Sequence, residues 1–342
     1  MHYLKHLSLC VFLLFWAGCT APNLPHNHDE QTTSALYEQM FEAKEPNLAM
    51  MNLFFTQMPK GGDLHHHYSG SIYAETYLEW VKAKGWFIDS CNFKIVKTQG
   101  DGACQAVSVD ALIADDASYR KLLSLWSDKD FSNHSHEQLP PDSHFFNTFG
   151  YFSPISAQYM EVGLKRIKER ALSESVSYVE SMLSRVGINS ADYFDAQQRK
   201  ELNDALHCAR TQEEVNALLE RISATYQDNV TFNAIIQQRV KELEHLHQGI
   251  DDENFTMRYQ TYALRVLEPL QVFTDLYSGY QAALSSPLIV GINIVAPENN
   301  AVALNDYTLH MRMFHYLKSK YPQVHRALHA GELTLGMVEP KE

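Results

Sequence analysis

The chain has 342 residues, 45% of them hydrophobic, and a formal net charge of −13 at pH 7. That length and apolar fraction suffice for a large buried core in one or two domains. The acidic balance, with no Lys/Arg-rich run, argues against nucleic acid or an anionic membrane surface as a partner and favours a small neutral or cationic ligand.

Taken in chain order, Lys5 lies in a short n-region and residues 7–17 are almost wholly apolar, too short to span a bilayer but the length of a signal-peptide core. The run ends in Trp16-Ala17-Gly18-Cys19, which resembles a bacterial lipoprotein signal, although Trp16 stands where such signals usually carry Leu. Residues 1–19 are therefore expected to direct export to the cell envelope, periplasmic or lipid-anchored, or to the medium. Membrane contact is expected only through a lipid on Cys19; an ordinary cysteine after plain cleavage is the alternative.

Residues 20–33 are polar and proline-containing and read as a flexible tether, and 34–57 read as a helical extension with a break at Pro46. The main domain is expected over 58–342. Residues 85–145 show little periodicity and read as an insertion or a set of long loops after the first strand. Within it, Cys91 and Cys104 either pair, as an oxidising compartment would allow, or remain free thiols. No C-x-x-C pair is present, so no cysteine zinc site is expected.

A rhythm then sets in. Residues 155–173 read as a helix, 176–183 as a strand, 200–225 and 230–246 as amphipathic helices, and 255–264 as an alternating strand. Residues 269–284 are helical, 288–295 form a continuous apolar run typical of a strand buried on both faces, 306–320 are helical, and 324–331 read as a last strand. Strands separated by helices predict parallel βα units in a barrel or a doubly wound sheet. No glycine fingerprint of the dinucleotide or P-loop type favours the latter.

Two short stretches carry chemistry. The first is Met58-Pro-Lys-Gly-Gly-Asp-Leu followed by His65, His66 and His67. In an extended run alternate side chains share a face, so His65 and His67 point one way and His66 the other. Two imidazoles on one side of a strand end can share a metal ion, though a surface tract without ligand has the same appearance. The second stretch, His329-Ala-Gly-Glu332, closes the last predicted strand, where a barrel enzyme keeps its chemistry. A buried core histidine and a solvated glutamate are its plainer reading.

Together the two stretches resemble the motifs of the adenosine deaminase family. Met-Pro-Lys-Gly-Gly, the leader and the insertion look most like its secreted, growth-factor-like branch and the bacterial exported relatives. His144-Phe-Phe-Asn-Thr-Phe149, Tyr178-Val-Glu180 and Val290-Gly-Ile-Asn293 follow in order, and the resemblance runs from about residue 57 to the end. It implies an α/β fold, a (β/α)8 barrel of the TIM type holding one zinc ion. By motif, His65, His67 and His329 would be metal ligands, with Glu332 the acid that protonates N1 of the purine; His66 is expected to be structural. The implied reaction is hydrolytic deamination of adenosine or a related purine nucleoside to inosine and ammonia. Zinc brings the pKa of bound water towards about 7, hydroxide attacks C6, and a proton on N1 absorbs the charge pushed into the ring. The His-x-Glu and Pro-Cys-x-x-Cys pair of the cytidine deaminase type is missing.

The chain departs from the family pattern in three places. Ser69 stands where an acidic residue usually meets the ribose, and near Ala296 the family usually has a glycine that approaches the purine. Ser69, Gly70 and Ala296 are thus the expected substrate-side residues, with the exact nucleoside open. The resemblance also implies three further strands, which bring a histidine that assists the attacking water and a zinc-binding aspartate; residues 333–342 contain neither type. The expectation is an incomplete barrel with about five of eight strands, C-terminally truncated. The alternative is an inactive member acting at most as a metal- or nucleoside-binding lipoprotein. No oligomeric state follows from the sequence.

Overall fold

The structure, a computed structural model, describes residues 26–42, 44–129, 131–133, 139–334 and 336–338. The expected export signal and Cys19 lie outside them. The chain divides into two compact units, Met1–Met58 and Pro59–Glu342. In the first, helix α1 (His26–Tyr37) runs into a π-helical turn (Glu38–Glu42), and α2 (Leu48–Gln57) starts where the Asn47 side chain accepts the N–H of Met50. Residues 26–33 are thus helical where a tether was expected. After Pro25 no proline or glycine interrupts the run, and Asp29 sits in the first turn, where a carboxylate favours the helix dipole. Among the described residues no helix is long and apolar enough to cross a membrane.

The second unit is an α/β arc. Strands β1 (Gly61–His67), β5 (Val176–Met182), β6 (Thr256–Leu264) and β7 (Ile289–Val295) pair in that order, all parallel. Parallel neighbours need crossover connections, and helices supply them. Between β1 and β5 lie α3 (Tyr68–Ser71), α4 (Ala74–Ala83), α5 (Val109–Ala114), α6 (Asp116–Trp126), α7 (Pro141–Ser156) and α8 (Met160–Ser173). Next come α9 (Ala196–Cys208), α10 (Gln212–Gln227) and α11 (Val230–Leu246), then α12 (Pro269–Ser285) between β6 and β7. The sheet is followed by α13 (Ala301–Asn305) and α14 (Tyr307–Lys320). This curled half-barrel is the incomplete α/β barrel expected from the sequence.

Two cores hold it. One joins α9–α12, β7 and α14 through Leu219, Phe232, Leu276, Ile292 and Phe314. The other joins the α3–α8 side to β5 and β6 through Tyr68, Tyr77, Leu164, Val179 and Met257.

Three local expectations need correction. Residues 85–145 are not simply long loops: β2 (Phe87–Asp89), β3 (Ile95–Val96) and β4 (Ala106–Ser108) form a small antiparallel sheet. Such short strands leave no periodicity to read. Cys91 and Cys104 are joined as a disulfide, and the buried Asp89 carboxylate accepts the N–H groups of Cys91, Cys104 and Asn92 beside it. Second, residues 200–225 are two helices, because Thr211 opens α10 with a capping box to Glu214. Third, residues 324–331 do not form a fifth strand. They meet β7 in a single parallel bridge, Ile292 with Arg326, and then leave the ladder. The cause lies in side chains: the His329 N–H goes to Asn293 Oδ1, and its carbonyl accepts from the Arg265 guanidinium.

Candidate metal centre

Each strand of the arc ends on the same side, and the two histidine-bearing stretches meet there. In β1 a bulge between Asp63 and His66 inserts one extra residue against β5, and the Asp63 carboxylate accepts the His65 N–H at 3.0 Å. His65 and His67 then lie on one side of the strand, with ring centroids 5.3 Å apart. His66 turns to the other, its Nδ1 3.0 Å from Ser181 Oγ on β5.

His329 completes the cluster. Its ring centroid lies 4.3 Å from that of His65 and 5.0 Å from that of His67, and the Nε2 atoms of His67 and His329 are 3.0 Å apart. One ring nitrogen from each of the three lies within 4.8 Å of the others. Two nitrogens bound to one tetrahedral zinc at about 2.0–2.1 Å would stand roughly 3.3 Å apart, so the donor set fits such an ion.

The protonation pattern fits as well. Burial first, and then the neighbouring His65 and His66, lower His67 to about 4, with Asp63 acting the other way. Burial, then His65 and His67, lower His329 to about 3. Both rings are neutral at pH 7, the form that ligates a metal. Nδ1 of His329 lies 2.8 Å from Asn293 Oδ1, which also accepts the N–H groups of His329 and Ile294. An oxygen that accepts two backbone donors is not the amide nitrogen, so Nδ1 of His329 carries the proton and Nε2 offers its lone pair towards His67.

The cluster opens into a cavity of about 470 Å³. His65, His67, His329, Glu332 and Ser69 are the polar residues of its lining. The rest of the lining is largely apolar and includes Phe145, Phe146 and Phe149 from α7 together with Tyr262, Leu264 and Pro297. Among the described residues, Gly70 is not part of this lining; it packs against Phe149, whose ring would lie 3.4 Å from a Cβ placed there. Ala296 does line the cavity, in a left-handed conformation with φ of 87°. His144 turns away from the cavity to the Ser127 carbonyl at 3.1 Å.

Sequence reasoning did not flag Glu298 or Arg265. The Glu298 carboxylate accepts the Glu332 N–H at 2.7 Å and the Gly331 N–H at 3.3 Å, which fixes the loop that carries Glu332. Arg265, 4% exposed, donates to the carbonyls of Ile294 and His329. The available signal was a charged residue close after a strand: Arg265 directly follows β6, and Glu298 lies three residues beyond β7.

No family model and no curated protein sequence matches the chain. Among solved structures, Arabidopsis ADAL complexed with GMP aligns with 85% of this chain and 62% of its own, at 14% identity and a TM-score of 0.43. ADAL complexed with IMP gives 84% and 62%, 15% identity and 0.44. The adenine deaminase of Arthrobacter aurescens gives 80% and 58%, 14% identity and 0.35. The chain therefore spans less than two thirds of the length of these structurally similar proteins.

Proposed function

We propose that this protein is a metal-dependent purine deaminase that removes the C6 amino group of adenosine or a related purine nucleoside by hydrolysis. The observation that carries the reading is the cluster of three imidazoles in the lining of one aromatic cavity that Glu332 also lines. His65, His67 and His329 would hold the ion. Zinc, when bound there, supplies a Lewis acid that makes hydroxide available at neutral pH.

The chain's own groups account for the rest. The rings of Phe145, Phe146 and Phe149 offer edges and faces against which a planar base can pack, and with Tyr262 and Leu264 they exclude water. The Glu332 carboxyl is the proton donor to N1, held by the two backbone bonds to Glu298. Ser69 is the polar group on offer to the sugar. The leader residues and the Cys91–Cys104 disulfide support an exported protein, in keeping with the secreted and bacterial exported branches of the deaminase family.

The test is ammonia release, together with loss of adenosine absorbance, on mixing zinc-loaded protein with adenosine. Turnover that falls at least a hundredfold in Glu332→Gln supports the reading, since positioned proton transfer contributes about 10²–10⁴-fold. Equal turnover in that variant removes the proton-donor assignment. A second reading is favoured by one observation: among the described residues, no carboxylate belongs to the three-histidine group. On that reading the protein binds metal or nucleoside without turning it over, and zinc binding with no ammonia from any C6-amino purine would establish it.

A further inference from the structure

Behind His329 a line of buried polar side chains crosses the arc. Asn293 on β7 is fully buried, and its Nδ2 donates to Gln260 Oε1 at 3.0 Å. Gln260 on β6 is 2% exposed, and its Nε2 donates to Glu180 Oε2 on β5 at 2.8 Å. The same Nε2 reaches the Leu64 carbonyl of β1 at 3.3 Å, next to His65. The line ends at Tyr178, whose hydroxyl donates to the other oxygen of Glu180 at 2.9 Å. Side chains of three adjacent strands, and the backbone of the fourth, are thus tied to one another inside the sheet.

Each link has a direction. A carboxylate only accepts, so Glu180 draws the NH₂ of Gln260 towards itself and leaves Gln260 Oε1 facing Asn293. That oxygen draws the NH₂ of Asn293, which leaves Asn293 Oδ1 facing His329. Backbone donors impose the same orientation from the opposite end, because the N–H groups of His329 and Ile294 both go to Asn293 Oδ1. The two ends of the line agree, and every amide atom in it has its partner. A buried polar line in which the two ends disagreed would leave a costly unmatched atom.

We propose that Asn293, Gln260 and Glu180 form a directional positioning relay that holds His329 as its Nδ1–H tautomer and so sets the metal affinity of the three-histidine centre. The proposal rests on the metal-centre reading above for its consequence, but not for the tautomer. None of the three residues touches the cavity, so none is a catalytic residue. Groups that orient a ligating histidine through its second nitrogen typically matter by 10–100-fold in metal affinity.

The experiment uses nitrogen-15 histidine in the full chain. Ring-nitrogen correlation spectra of the metal-free protein give the His329 tautomer, and cobalt(II) titration followed by visible absorption gives affinity. Asn293→Leu is expected to lose the exclusive Nδ1–H form and to weaken cobalt binding about 10–100-fold. Asn293→Asp alone places carboxylates at both ends of the Gln260 amide, so one oxygen pair is unmatched and the variant melts lower than wild type. Adding Glu180→Gln to Asn293→Asp lets Gln260 reverse, with its NH₂ to Asp and its oxygen to the new amide. The reversed amide gives up its bond to the Leu64 carbonyl, so that double variant is expected to keep the Nδ1–H tautomer, which an Asp carboxylate also accepts, and to melt above Asn293→Asp but below wild type. Wild-type tautomer and affinity in Asn293→Leu, or no rescue of Asn293→Asp by Glu180→Gln, overturns the relay. If wild type itself takes up no cobalt, the metal-centre reading fails, while the metal-free tautomer spectra still decide the relay.

Discussion

His67 and His329 bring their Nε2 atoms to 3.0 Å although 262 positions separate them in the chain. Neither ring carries a positive charge at neutral pH, so the pair is not an electrostatic conflict: with the His329 proton on Nδ1, His67 Nε2–H donates to His329 Nε2, and a bound ion would take the place of that proton. A divalent ion bound there would tie the first strand of the arc to the segment beyond its last.

Zinc should therefore stabilise the protein. At a free concentration about a thousand times Kd, binding to the folded state alone contributes about 4 kcal/mol. Thermal melts with added zinc should shift upwards, and a chelator should reverse the shift. His329→Ala should abolish the response, whereas His66→Ala, which removes the ring bonded to Ser181 on the other side of the strand, should keep it. A zinc response that survives His329→Ala would exclude the three-histidine site.

Acid should destabilise the fold through His310 on α14. The residue is 2% exposed, and its Nε2 has no hydrogen-bond partner among the described residues. Burial, ahead of the opposing pull of Asp306 and with help from Arg265 and His207, lowers it to about 4. An unfolded histidine titrates near 6.5, so above that pH neither state binds the proton and the stability is complete. Between about 6.5 and 4 the unfolded state takes the proton first, and stability falls by about 1.4 kcal/mol per pH unit for this group. Denaturant titrations across that window should show the slope, and His310→Leu should reduce it by about one proton. An unchanged slope would assign the acid sensitivity elsewhere.

Ala296 should be improvable. With φ of 87° it occupies a region that costs a residue with a Cβ about 1–2 kcal/mol. Ala296→Gly removes that strain at some cost in chain entropy, so a gain of about 1 kcal/mol is expected. The same change takes a methyl group out of the cavity wall. A melting temperature equal to or below that of wild type would contradict the strain argument.

Reduction should act locally. The Cys91–Cys104 bridge spans a sequence separation of 13, a loop whose closure is worth about 3 kcal/mol. A Cys91→Ser, Cys104→Ser variant should lose up to that amount, seen as a reductant-insensitive lower melting temperature, while zinc binding at the three-histidine centre persists. Loss of zinc binding on reduction would link the small antiparallel sheet to the metal centre.

Much of the arc was legible because strands leave short-period patterns: the continuous apolar run 288–295, the alternating 255–264 and the strand-like 176–183 correspond to β7, β6 and β5 within a residue or two. The histidine tract was legible for a different reason, the two-residue period that sends His65 and His67 one way and His66 the other. What escaped was the polar machinery inside the strands. Asn293 and Glu180 stand in motifs the sequence does mark, and Gln260 in an alternating strand, but their partners come from other strands, so no local pattern announces their roles. The misread strand at 324–331 has the same origin. Its composition suits a ladder, but Asn293 and Arg265 take the backbone groups of His329 that a ladder would have used. The insertion was opaque because strands of two or three residues and a disulfide replace the long periodic elements that a pattern can reveal.

That substitution of side chains for a ladder has a dynamic consequence. Ladder hydrogen bonds break together, whereas the contacts of the His329 segment to Asn293, Arg265 and Glu298 are separate and lie near the surface at Gly331 and Glu332. The segment can therefore open as its own cooperative unit while β1, β5, β6 and β7 stay paired. Amide exchange should be faster at residues 330–333 than within β6 or β7, and an ion could enter or leave through such an opening without unfolding the sheet that presents the other two histidines.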